Sequence, residues 1–244
     1  MTACCNRVSS LDLSGAERVR ERCGPLYNLY PEQAVFGNKN FRSTSSVNEL
    51  LVATNNPGKL AEFGRLFAGL PTILRDLSHY KIRDEAEETG DTFYENAAIK
   101  AAFYARLSGS PSLADDSGLV VDRLNGGPGV RSARYGGEGA SDHDRIQKLL
   151  TEMGDAQDRA ARFVCVCALA DSSGTIVHTT EGICEGSIVL SPRVTNGFGY
   201  DPIFEPRGFD QTFGELTPDI KQSISHRALA VKKMIPFLRG FFKI

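Results

Sequence analysis

Leu50-Leu51-Val52-Ala53-Thr54-Asn55-Asn56-Pro57-Gly58-Lys59-Leu60 is the stretch that decides the fold class. Leu50 to Ala53 forms a short apolar run that suits a buried strand, and the folded unit is expected to begin just before it, at Glu49. Asn56 is a good helix N-cap and Pro57 fits the first helical position. Leu60, Phe63, Phe67 and Leu70 then recur at helical spacing. Strand, tight polar turn and helix follow one another within some twenty residues. Such a turn offers backbone N–H groups, the positive end of a helix dipole and here Lys59, a sensible cradle for phosphate. It is not a Walker A loop, because the G-x-x-x-x-G-K-[ST] spacing is absent. On these residues alone, a well-capped connection with no ligand explains the stretch equally well.

Further along, the polar stretch from Arg83 to Asp91 carries Glu85, Glu87 and Glu88, which in isolation suits a solvated loop. It leads into a helix from Thr92 through Phe103, in which Asn96 and Lys100 share one face while Ile99 and Phe103 supply an apolar stripe. Leu113-Ala114-Asp115-Asp116-Ser117-Gly118 places two adjacent carboxylates after an apolar run. The expectation is an acidic pair at the mouth of a strand, followed by a turn, with Leu119-Val120-Val121 as a further strand. Paired carboxylates suit a hard cation such as Mg²⁺, which takes oxygen ligands and shares them with substrate phosphates. An ordinary Asp-Ser-Gly turn is the competing reading.

Asn125 to Gly129 reads as an irregular loop, followed by Arg131, Arg134 and Tyr135, and Asp142 to Met153 as a helix. Phe163 to Leu169 is apolar on both faces, as a central covered strand requires. Thr175 to Thr180 and Ile183 to Val189 are expected as two further strands, with turn residues at Ser172-Ser173-Gly174. Gly197-Phe198-Gly199-Tyr200-Asp201-Pro202 puts small residues beside rings, leaving a face on which a flat ligand can stack; a turn whose Phe198 plugs the core is the alternative. Lys221, His226 and Arg227 gather cationic groups before a helix expected over Ala228 to Leu238, with Ser225 as its N-cap. Strands and helices in this order give an α/β protein with a mixed sheet.

Composition bounds the rest. A chain of 244 residues with a formal charge of −2 has room for a sizeable core and lacks the basic excess of a general nucleic-acid binder. No apolar run approaches a membrane span. The six cysteines fit no zinc spacing and no disulfide framework, and Cys165, Cys167 and Cys184 lie in strand-like runs, so a reducing, cytoplasmic setting is expected. Residues 1–47 show no sustained period and are expected to be a poorly ordered extension. They lack a secretory core, and Asp12, Glu17, Glu21 and Glu32 argue against a transit peptide. A start at Val47 through a GUG codon is a further expectation for this leader.

From about residue 49 to 239 the chain resembles the inosine/xanthosine triphosphate pyrophosphatase family. The resemblance is carried, in order, by Thr54–Lys59, Glu87-Glu88-Thr89-Gly90, Glu95-Asn96-Ala97, Ala114–Gly118, Gly127-Pro128-Gly129 with Ser132–Tyr135, Phe198–Pro202, and Ser225-His226-Arg227. Each motif is weak alone; seven in order are specific. The resemblance implies an elongated mixed twisted sheet flanked by helices, two lobes around a central substrate cleft, and a homodimer. It further implies Mg²⁺-dependent hydrolysis of non-standard purine nucleoside triphosphates (ITP, dITP, XTP) to monophosphate and pyrophosphate. By matching position, Thr54, Asn55, Asn56, Pro57, Gly58 and Lys59 would hold the triphosphate, and Lys100 would add phosphate charge. Glu88 and Asp116 would bind the metal, Asp116 would also accept the proton of the attacking water, and Ser117 would touch substrate. Phe198, Gly199, Tyr200 and Asp201 would enclose the base, with Lys221, His226 and Arg227 completing its recognition. A pyrophosphatase for other modified or pyrimidine triphosphates is the alternative within enzymes. A nucleotide-sensing module is the alternative outside them, though its gain from so many carboxylates near phosphates would be small.

Overall fold

A computed structural model describes residues 48–194 and 196–244, so the expectations for the leader lie outside the described residues. One six-stranded sheet runs in the order β2-β1-β3-β4-β5-β6. Its strands are β1 (Glu49–Val52), β2 (Ile73–Arg75), β3 (Ser112–Val121), β4 (Ala160–Ala170), β5 (Ile176–Ile188) and β6 (Phe204–Pro206). β1 lies parallel to β2 and β3, and the remaining neighbours are antiparallel, which makes the sheet mixed. Helices α1 (Pro57–Leu66), α2 (Phe93–Ser108), α3 (Asp142–Met153), α4 (Pro218–Ile224) and α5 (His226–Phe242) flank it.

The local signals at the first turn act as anticipated. Asn56 caps α1, its side chain accepting from Lys59 N at 3.1 Å, and Pro57 opens the helix. Thr92 and Glu95 form a reciprocal capping box at the start of α2. Ser225 caps α5.

Three expectations are corrected. Asp115 to Gly118 is not a turn: β3 runs unbroken through it, each residue paired with β4 from Ser112↔Ala170 to Val121↔Ala161. The two strands expected over Thr175–Thr180 and Ile183–Val189 are one, β5, because it pairs with β4 without a break through Glu181 and Gly182; at Gly182 the backbone of α5 comes close, and a Cβ there would collide with His226 O and Ala230 N. Lys221 does not lead directly into the last helix but sits in its own short helix α4, which ends at Ser225. The turn at Asp171–Thr175 does join two antiparallel strands, β4 and β5.

β3 and β4 pass through two packing environments, and that division places the site. Towards its start β3 contributes Leu113 to a core with Phe63, Cys165, Cys167 and Val231, and Ala114 to a core with Ala97, Ala101 and Val166. Towards its end Leu119 and Val121 join Ile146, Phe163, Tyr200 and Phe204. Asp115, Asp116 and Ser117 fall between. The last β1–β3 bond here is Ala53 N to Leu113 O at 2.8 Å, after which the chain leaves for α1. Beyond Leu113, then, one edge of β3 has no strand beside it, and a cleft opens at the carboxyl end of β1, where open α/β sheets bind ligands.

Candidate active site

A cavity of about 360 Å³ occupies this opening. It is lined by Thr54, Asn55, Asn56 and Lys59 from the first turn, Glu88, Lys100, Asp116 and Ser117, then Phe198 to Asp201, and finally Lys221, His226 and Arg227. Of the residues expected at the site, Pro57 and Gly58 do not line it. Gly58 instead lies under the Phe198 ring, where an added Cβ would stand 2.7 Å from a ring carbon, so its lack of a side chain lets the aromatic loop close on α1.

Strand alternation sends the two neighbouring carboxylates to opposite faces of the sheet. Asp115 faces α1 and α5. Its Oδ2 receives Lys59 Nζ at 3.0 Å and Arg227 Nη2 at 3.0 Å, while Oδ1 is buried and has no hydrogen-bond partner among the described residues. Burial opposes its charge, but Lys59, Arg227 and Lys100 outweigh burial and hold the carboxyl far below the usual carboxylate range. Arg227, 1% exposed, also donates to Ser117 Oγ at 2.9 Å and pairs with Glu62. Glu62 in turn meets Lys221 Nζ at 2.9 Å, and Lys221 meets Asp201 Oδ2 at 2.6 Å. Asp201 Oδ2 also accepts from Phe198 N at 3.0 Å and so fixes the start of the aromatic loop. His226 is buried with its ring stacked on Phe163 at 4.6 Å, and burial together with Arg227 and Lys221 keeps it neutral, its pKa well below that of free histidine.

Asp116 faces α2. Lys100 Nζ lies 3.0 Å from its Oδ1 and 3.2 Å from Glu88 Oε1, and Asn96 Nδ2 reaches its Oδ2 at 3.4 Å. Asn96 also holds Gly90 through both backbone groups, pinning the Arg83–Asp91 loop so that Glu88 faces the strand. Burial raises the Asp116 pKa, and Lys100 only partly offsets this. Lys100 is itself buried, yet Asp116, Asp115 and Glu88 together outweigh that and raise its pKa.

The donor set fits a hard cation. Glu88 and Asp116 offer oxygen only, and both line the cavity on the side of the sheet that faces α2. Among the described residues no three His, Cys, Asp or Glu side chains form a self-contained metal site. A cation here would rest on two carboxylates plus substrate phosphates, which is how Mg²⁺ is usually held.

Glu62 and Asp142 were not among the residues expected at the site, and Asn96 was expected only to share a helix face with Lys100. Asp142, first residue of α3, accepts from Gly199 N at 2.7 Å and pairs with Arg145, tying the aromatic loop to α3. Glu62 carried a signal, since it sits three residues after Lys59 on the same helix face. For Asp142, 57 residues from Gly199, there was none.

Comparison with known proteins identifies the family. The Ham1 family model matches residues 50–237, and the chain belongs to the Ham1 family. It is 44% identical over 199 residues to a dITP/XTP pyrophosphatase of Prochlorococcus marinus, covering 82% of this chain and 96% of that protein. It is 48% identical to one from a Synechocystis strain, covering 76% and 93%. Among solved structures, a HAM1 protein from Coxiella burnetii superposes with a TM-score of 0.72 at 42% identity, covering 79% of this chain and 99% of that one. The Staphylococcus aureus Ham1 protein gives 0.71 at 39% identity, covering 80% and 100%.

Proposed function

We propose that this protein is a nucleoside triphosphate pyrophosphatase that removes non-standard purine nucleotides (ITP, dITP and XTP), yielding the monophosphate and pyrophosphate with Mg²⁺ as cofactor. Its curated relatives, named dITP/XTP pyrophosphatases, support the enzyme class and the hydrolysis of non-standard triphosphates. The observation that carries the finer reading is the convergence on one cavity of Asp116, Glu88 and Lys100 with the Thr54–Lys59 turn, while Phe198 and His226 stand in the same cavity.

In this reading Glu88 and Asp116 hold the cation, which neutralises phosphate charge when bound. Lys59 and Lys100 add positive charge, and the turn N–H groups at the start of α1 receive phosphate oxygens. Asp116 accepts the proton from water as it attacks, its carboxylate standing in the cavity beside Glu88 and Lys100. Pyrophosphate leaves and the nucleoside monophosphate remains. Phe198 offers a stacking face. Lys221 and His226, with Arg227 locked behind them, present donors to a 6-keto oxygen, whereas the adenine amino group would leave such donors unpaired. We further read the enzyme as a cytoplasmic homodimer. Among the described residues no helix is long and apolar enough to cross a membrane.

Replacing the proton acceptor tests the assignment. Asp116→Asn should lower pyrophosphate release from ITP by about 10²–10⁴-fold while the melting temperature holds. A variant with wild-type turnover would overturn the role given to Asp116.

A further inference from the structure

Arg134 has no part in the roles above, yet it stands at the rim of the same cavity. It ends the 3₁₀ turn Gly129–Arg134, and that turn is anchored from several sides. Ser132 Oγ accepts from Leu119 N at 2.9 Å and donates to Gly129 O at 2.6 Å. The Ser132 carbonyl accepts from Tyr200 Oη at 3.0 Å, and the Ala133 carbonyl from Arg145 Nη1 at 3.0 Å. The root of Arg134 is therefore fixed. Its head is not: the side chain is 62% exposed and, among the described residues, meets one carboxylate, Glu88 Oε2, at 3.0 Å.

Glu88 is shared. Its other oxygen faces Lys100, and under the reading above it also serves the cation. An exposed ion pair of this kind is weak and separates readily. Were Glu88 to hold a cation, less of its charge would remain for the guanidinium, which lines the same cavity as Lys59 and Lys100. Arginine presents a planar fork that matches phosphate oxygens in pairs, which a lysine cannot do.

We propose that Arg134 is a phosphate-binding residue: it rests on Glu88 in the free enzyme and moves to the terminal phosphates of the bound triphosphate, then to the pyrophosphate product. This rests on the pyrophosphatase reading. It makes Arg134 a determinant of triphosphate over diphosphate, acting on the part of the substrate that carries no base.

The test is calorimetric binding of pyrophosphate and of inosine monophosphate, with Mg²⁺, to the full-length wild type, Arg134→Gln and Arg134→Lys, alongside their melting temperatures. The expected result is pyrophosphate affinity about tenfold weaker in Arg134→Gln, the loss expected for charge-assisted hydrogen bonds. Arg134→Lys should fall between, and monophosphate affinity and melting temperature should not move. Equal pyrophosphate affinity in wild type and Arg134→Gln would overturn the inference alone. So would a joint loss of both ligands with a lowered melting temperature, which marks a structural role. A wild type that binds neither ligand would overturn the pyrophosphatase reading itself.

Discussion

Asp115 and Asp116 are neighbours in the chain and opposites in environment. Asp115 looks towards α1 and α5, into a locked array in which Lys59, Arg227, Glu62, Lys221 and Asp201 satisfy one another in the buried interior. Asp116 looks towards α2, where one lysine is shared between it and a half-exposed Glu88 that Arg134 holds from outside. The first environment drives a carboxyl pKa down and the second lets burial raise it. Two like groups pushed apart in this way take different tasks. Under the proposed function, a single strand through its two faces gives one carboxylate to architecture and the other to chemistry. The rigid side carries the aromatic loop through Asp201 and Lys221. The other side is more open, with Arg134 62% exposed where it meets Glu88.

Breaking the locked side should give the larger effect on stability. Arg227→Ala would strand Asp115 and Glu62 against fewer compensating charges, and removing one member of a buried ion network costs about 3–5 kcal/mol. Chemical denaturation of the variant measures this directly. A loss near zero would mean that the array contributes little, and that Asp115 is held by Lys59 alone.

A smaller effect sharpens the same contrast through pH. The folded-state pKa of His226 lies well below its ordinary value of 6.5, so the unfolded chain takes up a proton that the folded chain refuses. Its contribution to stability is therefore full above 6.5 and is lost as pH falls from there towards the folded pKa, by up to about 1.4 kcal/mol per pH unit. Urea midpoints taken at about pH 7.5 and about pH 5.5 should show this slope in the wild type, and a flatter one in His226→Gln. Identical slopes would contradict the neutral, buried state of this ring.

Much of the fold was legible because its signals are local. Asn56-Pro57 states its helix start in two residues, Asn96, Ile99, Lys100 and Phe103 fall at helical spacing in α2, and the doubly apolar run of β4 announces a covered strand. What failed was non-local. Asp115-Asp116-Ser117-Gly118 has the composition of a turn and is strand only because β4 pairs with every residue of it. Gly182 looks like a break and is a point of contact with α5. β2 and β6, three residues each, exist through their pairing partners and have no pattern of their own. At the site, residue types were readable and partners were not. Arg227 was legible as a cation near a helix start, but its pairing with Asp115, 112 residues away, follows only from the crossing of α5 over the sheet.

The most direct test of the proposed activity is product analysis. Pyrophosphate and orthophosphate release would be measured from ITP, XTP, ATP and GTP, with Mg²⁺ and with EDTA. Pyrophosphate is expected from ITP and XTP, little from ATP or GTP, and none from any of them once EDTA is added. Orthophosphate as the product, or equal rates on all four bases, would contradict the proposed activity.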